Sequence, residues 1–213
     1  MIVVSSSDRR VRDLVAASGS GRRRDAAFER RVATIVQTVR RGGDAALARY
    51  ARRFDGLDGS IEVPRAEIEA EARRATPAVR RALRAAAKQI RTVAKQQLPK
   101  GWRLRVAPGV TVEQRIEPLA RVGCYVPGGR YPLPSSLLMT ALPARVAGVR
   151  EIVAACPKPD PSVFAAALLV GVDRFFRIGG AHAVAALAYG TKTVPAVDKI
   201  VGPGNRYVAT AKN

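Results

Sequence analysis

Three glycine-rich turns occur between residues 121 and 205, and each directly follows a short apolar run. They read VGCYVPGG (Val122–Gly129), FFRIGGAHA (Phe175–Ala183) and DKIVGPGN (Asp198–Asn205). A glycine at the end of a strand lets the backbone turn sharply and lie close to a ligand. Three such strand ends in one open parallel sheet would line a single crevice, where α/β proteins bind nucleotides and small substrates. The turns therefore predict an α/β protein with a ligand-binding crevice.

The second half of the chain alternates short apolar strands with helices, which is typical of a parallel sheet with right-handed crossovers. We expect a Rossmann-like parallel β/α nucleotide-binding lobe over residues 118–213. Because the chain stops soon after the third turn, we expect this lobe to be incomplete. The predicted strands are Arg121–Val126, Val149–Cys156, Arg174–Ile178 and Lys199–Val201.

Residues 1–117 are predicted to form a mainly helical N-terminal region. Gly42 and Gly43 interrupt a helical stripe of apolar residues, and Asp44 is a good N-cap for a following helix. Thr76 precedes a proline and should cap a long helix. The segment 102–114 alternates loosely and is either a hairpin or an extended arm.

The chain carries a net charge of +20, which favours anionic partners. The basic residues are spread along the chain, and aromatic residues make up only 5% of it, so stacking surfaces for single-stranded nucleic acid are scarce. Two interpretations of this charge stay open: an arginine-rich solvated surface and a surface that binds nucleic acid. No apolar run reaches the roughly 18 residues that span a bilayer. The N-terminal sequence lacks the order of a secretory signal, and we expect a cytoplasmic protein.

Three residues near the glycine turns are candidates for ligand contacts. His182, the only histidine, lies in the first turn of a predicted helix, where it is a surface residue, a hydrogen-bonding contact to a cofactor or substrate, or a lone metal ligand. Asn205 follows the third turn and either caps a helix or contacts a ligand through its amide. Tyr125 is either a core aromatic residue or a surface against which a cofactor ring packs.

The sequence offers no evident base, nucleophile or metal site. Cys124 and Cys156 lie in apolar contexts and are expected to be buried thiols. Two cysteines and one histidine are too few for an ordinary closed zinc site. No paired carboxylates occur in the glycine-rich half, so we assign no catalytic residue and no metal ligand.

The sequence closely resembles the N-terminal portion of histidinol dehydrogenase, from about Arg40 to the end and in that family's order and spacing. The matching runs are GGDAALARYARRFDG (Gly42–Gly56), VGCYVPGG (Val122–Gly129), PSSLLMTALPARVAGV (Pro134–Val149), RIGGAHAVAALAYGT (Arg177–Thr191) and VDKIVGPGN (Val197–Asn205).

The resemblance implies a cytoplasmic enzyme of histidine biosynthesis. Members of that family oxidise L-histidinol to L-histidine through the aldehyde in two NAD-dependent steps. They use a zinc ion to position the substrate and a glutamate–histidine pair for acid–base chemistry, and they are homodimers with shared active sites. The zinc, the acid–base pair and the homodimer are therefore expectations for the complete protein.

Residue by residue, the resemblance makes Tyr125 and Asn205 matches to the family's NAD contacts. His182 stands where the family usually has glutamine, and a histidine cannot present a donor and an acceptor side by side as an amide does. The family's zinc ligands and catalytic pair lie beyond the position that matches Asn213. The resemblance thus predicts an N-terminal fragment that does not turn over histidinol by itself. The alternatives are a non-catalytic nucleotide-binding or partner-binding module and a basic nucleic-acid-binding protein.

Overall fold

The structure is a computed structural model that describes residues 25–128 and 131–213. The chain divides into two compact units, Met1–Arg31 and Val32–Asn213, and the sheet belongs to the second. The helices among the described residues are α1 (Ala26–Tyr50), α2 (Arg65–Arg73), α3 (Pro77–Gln96), α4 (Pro134–Val146), α5 (Pro161–Val170), α6 (Gly180–Tyr189) and α7 (Arg206–Lys212). The strands are β1 (Trp102–Ala107), β2 (Val110–Gln114), β3 (Arg121–Tyr125), β4 (Glu151–Ala155), β5 (Arg174–Phe176) and β6 (Lys199–Val201).

Four parallel strands form the main sheet in the order β5-β4-β3-β6. The chain moves outward from β3 to β5 and then returns to the other side of β3 as β6. The strand order therefore reverses between β3 and β6, which is the topological switch point of this sheet. Because all four strands are parallel, their carboxyl ends lie at one edge. The prediction that the three glycine turns share this edge is confirmed for the described residues, which include the first turn as far as Gly128, and the α/β fold class is confirmed as well.

Helices cover both faces of the sheet because successive strand residues point to opposite sides. Cys124 belongs to the core beneath α4 and α5, whereas Tyr125 belongs to the core that α6 and α7 share. The N-terminal helices contribute to both cores: Ile68 of α2 packs in the first and Leu47 of α1 in the second. The division into domains at residues 117 and 118 stays a prediction.

The helix breaks at the glycine pair, as predicted, because α1 consists of two helical segments that meet in a kink at Gly43. Gly43 has φ 52° and ψ −139°, and α1 continues on both sides of it. The carboxylate of Asp44, expected to cap the next helix, instead accepts hydrogen bonds from the N–H (3.3 Å) and the hydroxyl (2.8 Å) of Thr193. Burial acts to raise the pKa of Asp44, but hydrogen bonds from Thr191 and Thr193 outweigh it and lower that pKa. Asp44 therefore ties α1 to the segment before β6.

The segment 102–114 is an antiparallel hairpin of β1 and β2, so the hairpin alternative is confirmed. Every residue of both strands is exposed. The cap at Thr76 is also confirmed, since its side chain accepts a hydrogen bond from the N–H of Val79 (3.3 Å). Among the described residues, no helix combines the length and the apolar composition that crossing a membrane requires.

Candidate functional site

The turn after β6 crosses directly over the end of β3. Val201 is the register partner of Cys124, so Gly202 comes to lie beside Tyr125. A Cβ atom on Gly202 would stand 2.1 Å from the carbonyl oxygen of Tyr125, and Gly202 has φ 119°. Only glycine fits this close approach. The first and third glycine turns therefore meet at the switch point, where open α/β sheets bind their ligands.

The turn after β5 is packed against the loop after β4. A Cβ atom on Gly179 would lie 2.6 Å from Cγ of Pro157, so glycine at this position serves close packing. Gly180 follows with φ 59° and begins α6. This turn is thus fixed within the protein.

Tyr125 reaches from the end of β3 to the turn after β5. Its hydroxyl oxygen accepts a hydrogen bond from the N–H of Gly180 at 3.0 Å, and the residue is buried. Burial raises the pKa of Tyr125 above its usual value, against the opposing effect of that hydrogen bond. The phenol stays neutral at physiological pH. The structure thus shows a core aromatic residue with a satisfied hydroxyl.

His182 is buried, with 1% of its surface exposed, so the surface-histidine alternative is wrong. Its Nε2 donates to Oδ2 of Asp55 at 2.8 Å, since an ionised carboxylate only accepts. The same oxygen accepts the N–H of Gly179 at 3.1 Å. The imidazole also lies against the rings of Tyr50 and Phe54, with centroids 6.0 and 5.9 Å away.

Sequence reasoning missed Asp55 as a residue of this site. By local pattern an Asp-Gly pair indicates only the end of a helix, and Gly56 does close the helical turn in the left-handed conformation with φ 67°. Asp55 and Gly179 are 124 positions apart, and no local pattern connects them. The only signal was the presence of Asp55 in one of the runs that resemble the family.

Asn205 is exposed and caps α7, its Oδ1 accepting the N–H of Val208 at 3.1 Å. The bond to Val208 uses only the amide oxygen, and the Nδ2 group carries two further donors. A contact of this group with a ligand is compatible with the cap. The cap and the ligand contact are therefore not exclusive alternatives.

A cavity of about 380 Å³ lies beside the carboxyl ends of β4 and β5. Asp55 lines it together with Pro157 and Lys158 from the loop after β4. Arg177 also lines it and forms an ion pair with Glu67 of α2. The volume is near the lower end of the range for small-molecule sites, roughly 300–1,000 Å³. Polar side chains of both charges thus surround an open space next to the turn after β5.

The described residues contain no group of three or more His, Cys, Asp or Glu side chains that could hold a metal ion. Cys124 and Cys156 are buried free thiols, as predicted. Burial raises the pKa of Cys124 to about 11 and that of Cys156 to about 12. At neutral pH both are therefore protonated and poor nucleophiles.

Comparison with known proteins identifies the family. The sequence model of histidinol dehydrogenase matches residues 20–213. The histidinol dehydrogenases of Pseudomonas putida and Burkholderia mallei are 50% identical over 196 residues and 54% identical over 200 residues. These alignments cover 88% of this chain, and 44% and 45% of those two proteins.

A crystal structure of histidinol dehydrogenase from Elizabethkingia anophelis superposes with a TM-score of 0.82 and 31% identity. The superposition covers 87% of this chain and 44% of that chain. The chain thus spans less than half the length of the relatives that it matches. By sequence and by fold, it belongs to the histidinol dehydrogenase family.

Proposed function

We propose that this chain forms the coenzyme-binding part of an enzyme that oxidises L-histidinol to L-histidine with NAD. The observation that carries this proposal is the meeting of the first and third glycine turns at the switch point, where Gly202 lies against the carbonyl of Tyr125. The close approach lets the turn after β6 lie directly over the end of β3, at the edge where open α/β sheets bind their ligands. When bound, NAD would accept the hydride that leaves the substrate carbon.

The three residues carried over from the family contribute to the proposed site in different ways. Asn205 is exposed and would contact the coenzyme through its Nδ2 group while its Oδ1 keeps capping α7. Tyr125 and His182 are buried and would act on the site mainly by fixing the turn after β5. Direct contacts of these two residues with NAD stay predictions.

The family resemblance also implies zinc, but the described residues provide no cluster of metal ligands. They do not fit a zinc site, and no metal-dependent step is assigned to them. The homodimer, the cytoplasmic location and the role in histidine biosynthesis are proposed for the complete protein on the basis of the family.

Calorimetric titration of the purified chain with NAD tests the proposal. We expect saturable binding that Asn205→Ala weakens, because the variant loses both the cap and the amide donors. Asn205→Ser is the matched control for the cap, since a serine hydroxyl also caps helices. It should restore helix stability without restoring NAD affinity.

Absence of NAD binding by the folded chain would refute the proposal. Wild-type affinity in Asn205→Ser would remove Asn205 from the site. Addition of L-histidinol and zinc should give no NADH, because the described residues supply no evident base and no metal site; NADH formation would contradict that expectation.

A further inference from the structure

The turn after β5 looks in sequence like an anion-binding turn, but its first two backbone donors, the N–H groups of Gly179 and Gly180, are already bonded to other parts of the protein. Free N–H groups at a helix N-terminus, together with the helix dipole, attract phosphates. Here the N–H of Gly179 is bonded to Asp55 and the N–H of Gly180 to the hydroxyl of Tyr125. Both acceptors come from outside the turn. An anion at this position would compete with bonds that the protein makes to itself.

Asp55 supplies the negative charge that the N-terminus of α6 favours. The N-cap residue of α6 is Gly179, which has no side chain to offer. The carboxylate of Asp55 arrives from the π-helical turn Ala51–Asp55 that follows α1, and only 8% of its side-chain surface is exposed. It therefore caps α6 from a distant part of the chain, as a bound anion would.

His182 holds that carboxylate in place. Its Nε2–H donates to the same Oδ2 that accepts the N–H of Gly179. The rings of Tyr50 and Phe54 stack at 5.6 Å and confine the imidazole from the side of α1. The Oδ2 atom of Asp55 thus joins the π-helical turn after α1 to both His182 and Gly179 at the start of α6.

We propose that Asp55 is a positioning residue that occupies the anion position at the N-terminus of α6, with His182 orienting its carboxylate. The turn after β5 then keeps its shape without a ligand. The negative charge of Asp55 repels phosphates from the turn after β5, so that phosphates bind at the exposed turn after β6. The avoidance of phosphates rests on the proposed binding of NAD, whereas the role of Asp55 and the shape of the turn after β5 concern the chain alone.

Amide hydrogen exchange of Gly179, followed by NMR without coenzyme, tests the positioning role. Asp55→Ala removes the acceptor and should accelerate exchange roughly 10-fold or more. Asp55→Asn is the matched control, because its amide oxygen can still accept both hydrogen bonds, and it should stay near the wild-type rate. Unchanged exchange in Asp55→Ala would overturn the proposal.

A second pair of variants keeps the test decisive if Asp55→Ala does not fold. His182→Gln retains an N–H donor for Asp55, whereas His182→Leu does not. We expect faster exchange of Gly179 in the leucine variant only. Because His182 is the only histidine, its imidazole nitrogen signals are unambiguous and should report a proton on Nε2 in the wild type. Equal exchange in all three proteins, or a proton on Nδ1 alone, would contradict the proposal.

Titration with NAD separates this proposal from the proposed function. The amide signals of Gly204 and Asn205 should shift more than those of Gly179 and Gly180. The opposite pattern would overturn the claim that phosphates avoid the turn after β5, although NAD binding itself would stand. If NAD does not bind at all, the proposed function fails, and the exchange experiment still decides the role of Asp55.

Discussion

The turn after β5 and the turn after β6 look alike in sequence but are held in different ways. Both have glycines that follow a strand and precede a helix. In the first, the N–H groups of Gly179 and Gly180 are satisfied by side chains from other elements. In the second, Asn205 caps its own helix and the surrounding residues are exposed. A turn whose N–H groups bond to side chains of the same protein has a structural role, whereas an exposed turn is available to a ligand.

Their positions in the sheet reinforce this difference. β5 lies at one edge, separated from β3 by β4, whereas β6 is the direct neighbour of β3. Of these two turns, only the turn after β6 therefore borders the switch point. Glycine content alone does not distinguish a binding turn from a structural turn.

The largest expected effect is that of Gly202→Ala. Its Cβ atom would meet the Tyr125 carbonyl oxygen at 2.1 Å, and the positive φ adds strain. We expect a loss of about 3 kcal/mol or more in the free energy of unfolding, measured by urea denaturation.

Gly171→Ala is the matched control for Gly202→Ala. Gly171 also has a positive φ, of 70°, but nothing lies within 4 Å of its added Cβ. The Gly171→Ala variant should lose only about 1–2 kcal/mol in the free energy of unfolding. Equal losses in the two variants would mean that the close approach to β3 does not fix the turn after β6.

A smaller effect is expected for Tyr125→Phe, which probes the turn after β5. The variant leaves the partly buried N–H of Gly180 without its acceptor and should cost about 1–2 kcal/mol in unfolding free energy. Exchange of the Gly180 amide should rise, whereas that of the Val208 amide should not. Unchanged stability and exchange would show that this turn does not depend on Tyr125.

Asn205→Ala should cost about 1 kcal/mol, because α7 loses its cap. Thermal unfolding of this variant and of Asn205→Ser checks the value, and serine should recover most of the loss. An alanine variant as stable as the wild type would mean that the cap contributes little, which would strengthen the contrast with the turn after β5.

The smallest expected effect is that the difference in unfolding free energy between the wild type and Tyr125→Phe depends on pH. The folded-state pKa of Tyr125 is raised, so its contribution to stability is complete below the unfolded-state pKa of about 10 and is lost as pH rises through the folded-state pKa. The stability gap between wild type and Tyr125→Phe should therefore narrow above pH ~10. Denaturation at several alkaline pH values measures the gap, since the buried cysteines are common to both proteins. A constant or widening gap would contradict the raised pKa.

The sequence by itself determined the fold class and most element positions. The strand Lys199–Val201 has the predicted bounds and Thr76 caps α3 as predicted, because apolar runs, prolines and helix caps are local signals. Parallel pairing then brought the three glycine turns to one edge. Family motifs added Tyr125, His182 and Asn205 as candidates for the site.

Only the tertiary structure decided how those residues are used. Asp44 bonds to Thr193 over 149 positions, and Asp55 bonds to His182 over 127 positions. Both contacts depend on how α1 packs against the sheet, and local propensities encode no such packing. For the same reason a histidine in the first turn of a helix lies buried against a carboxylate instead of facing solvent.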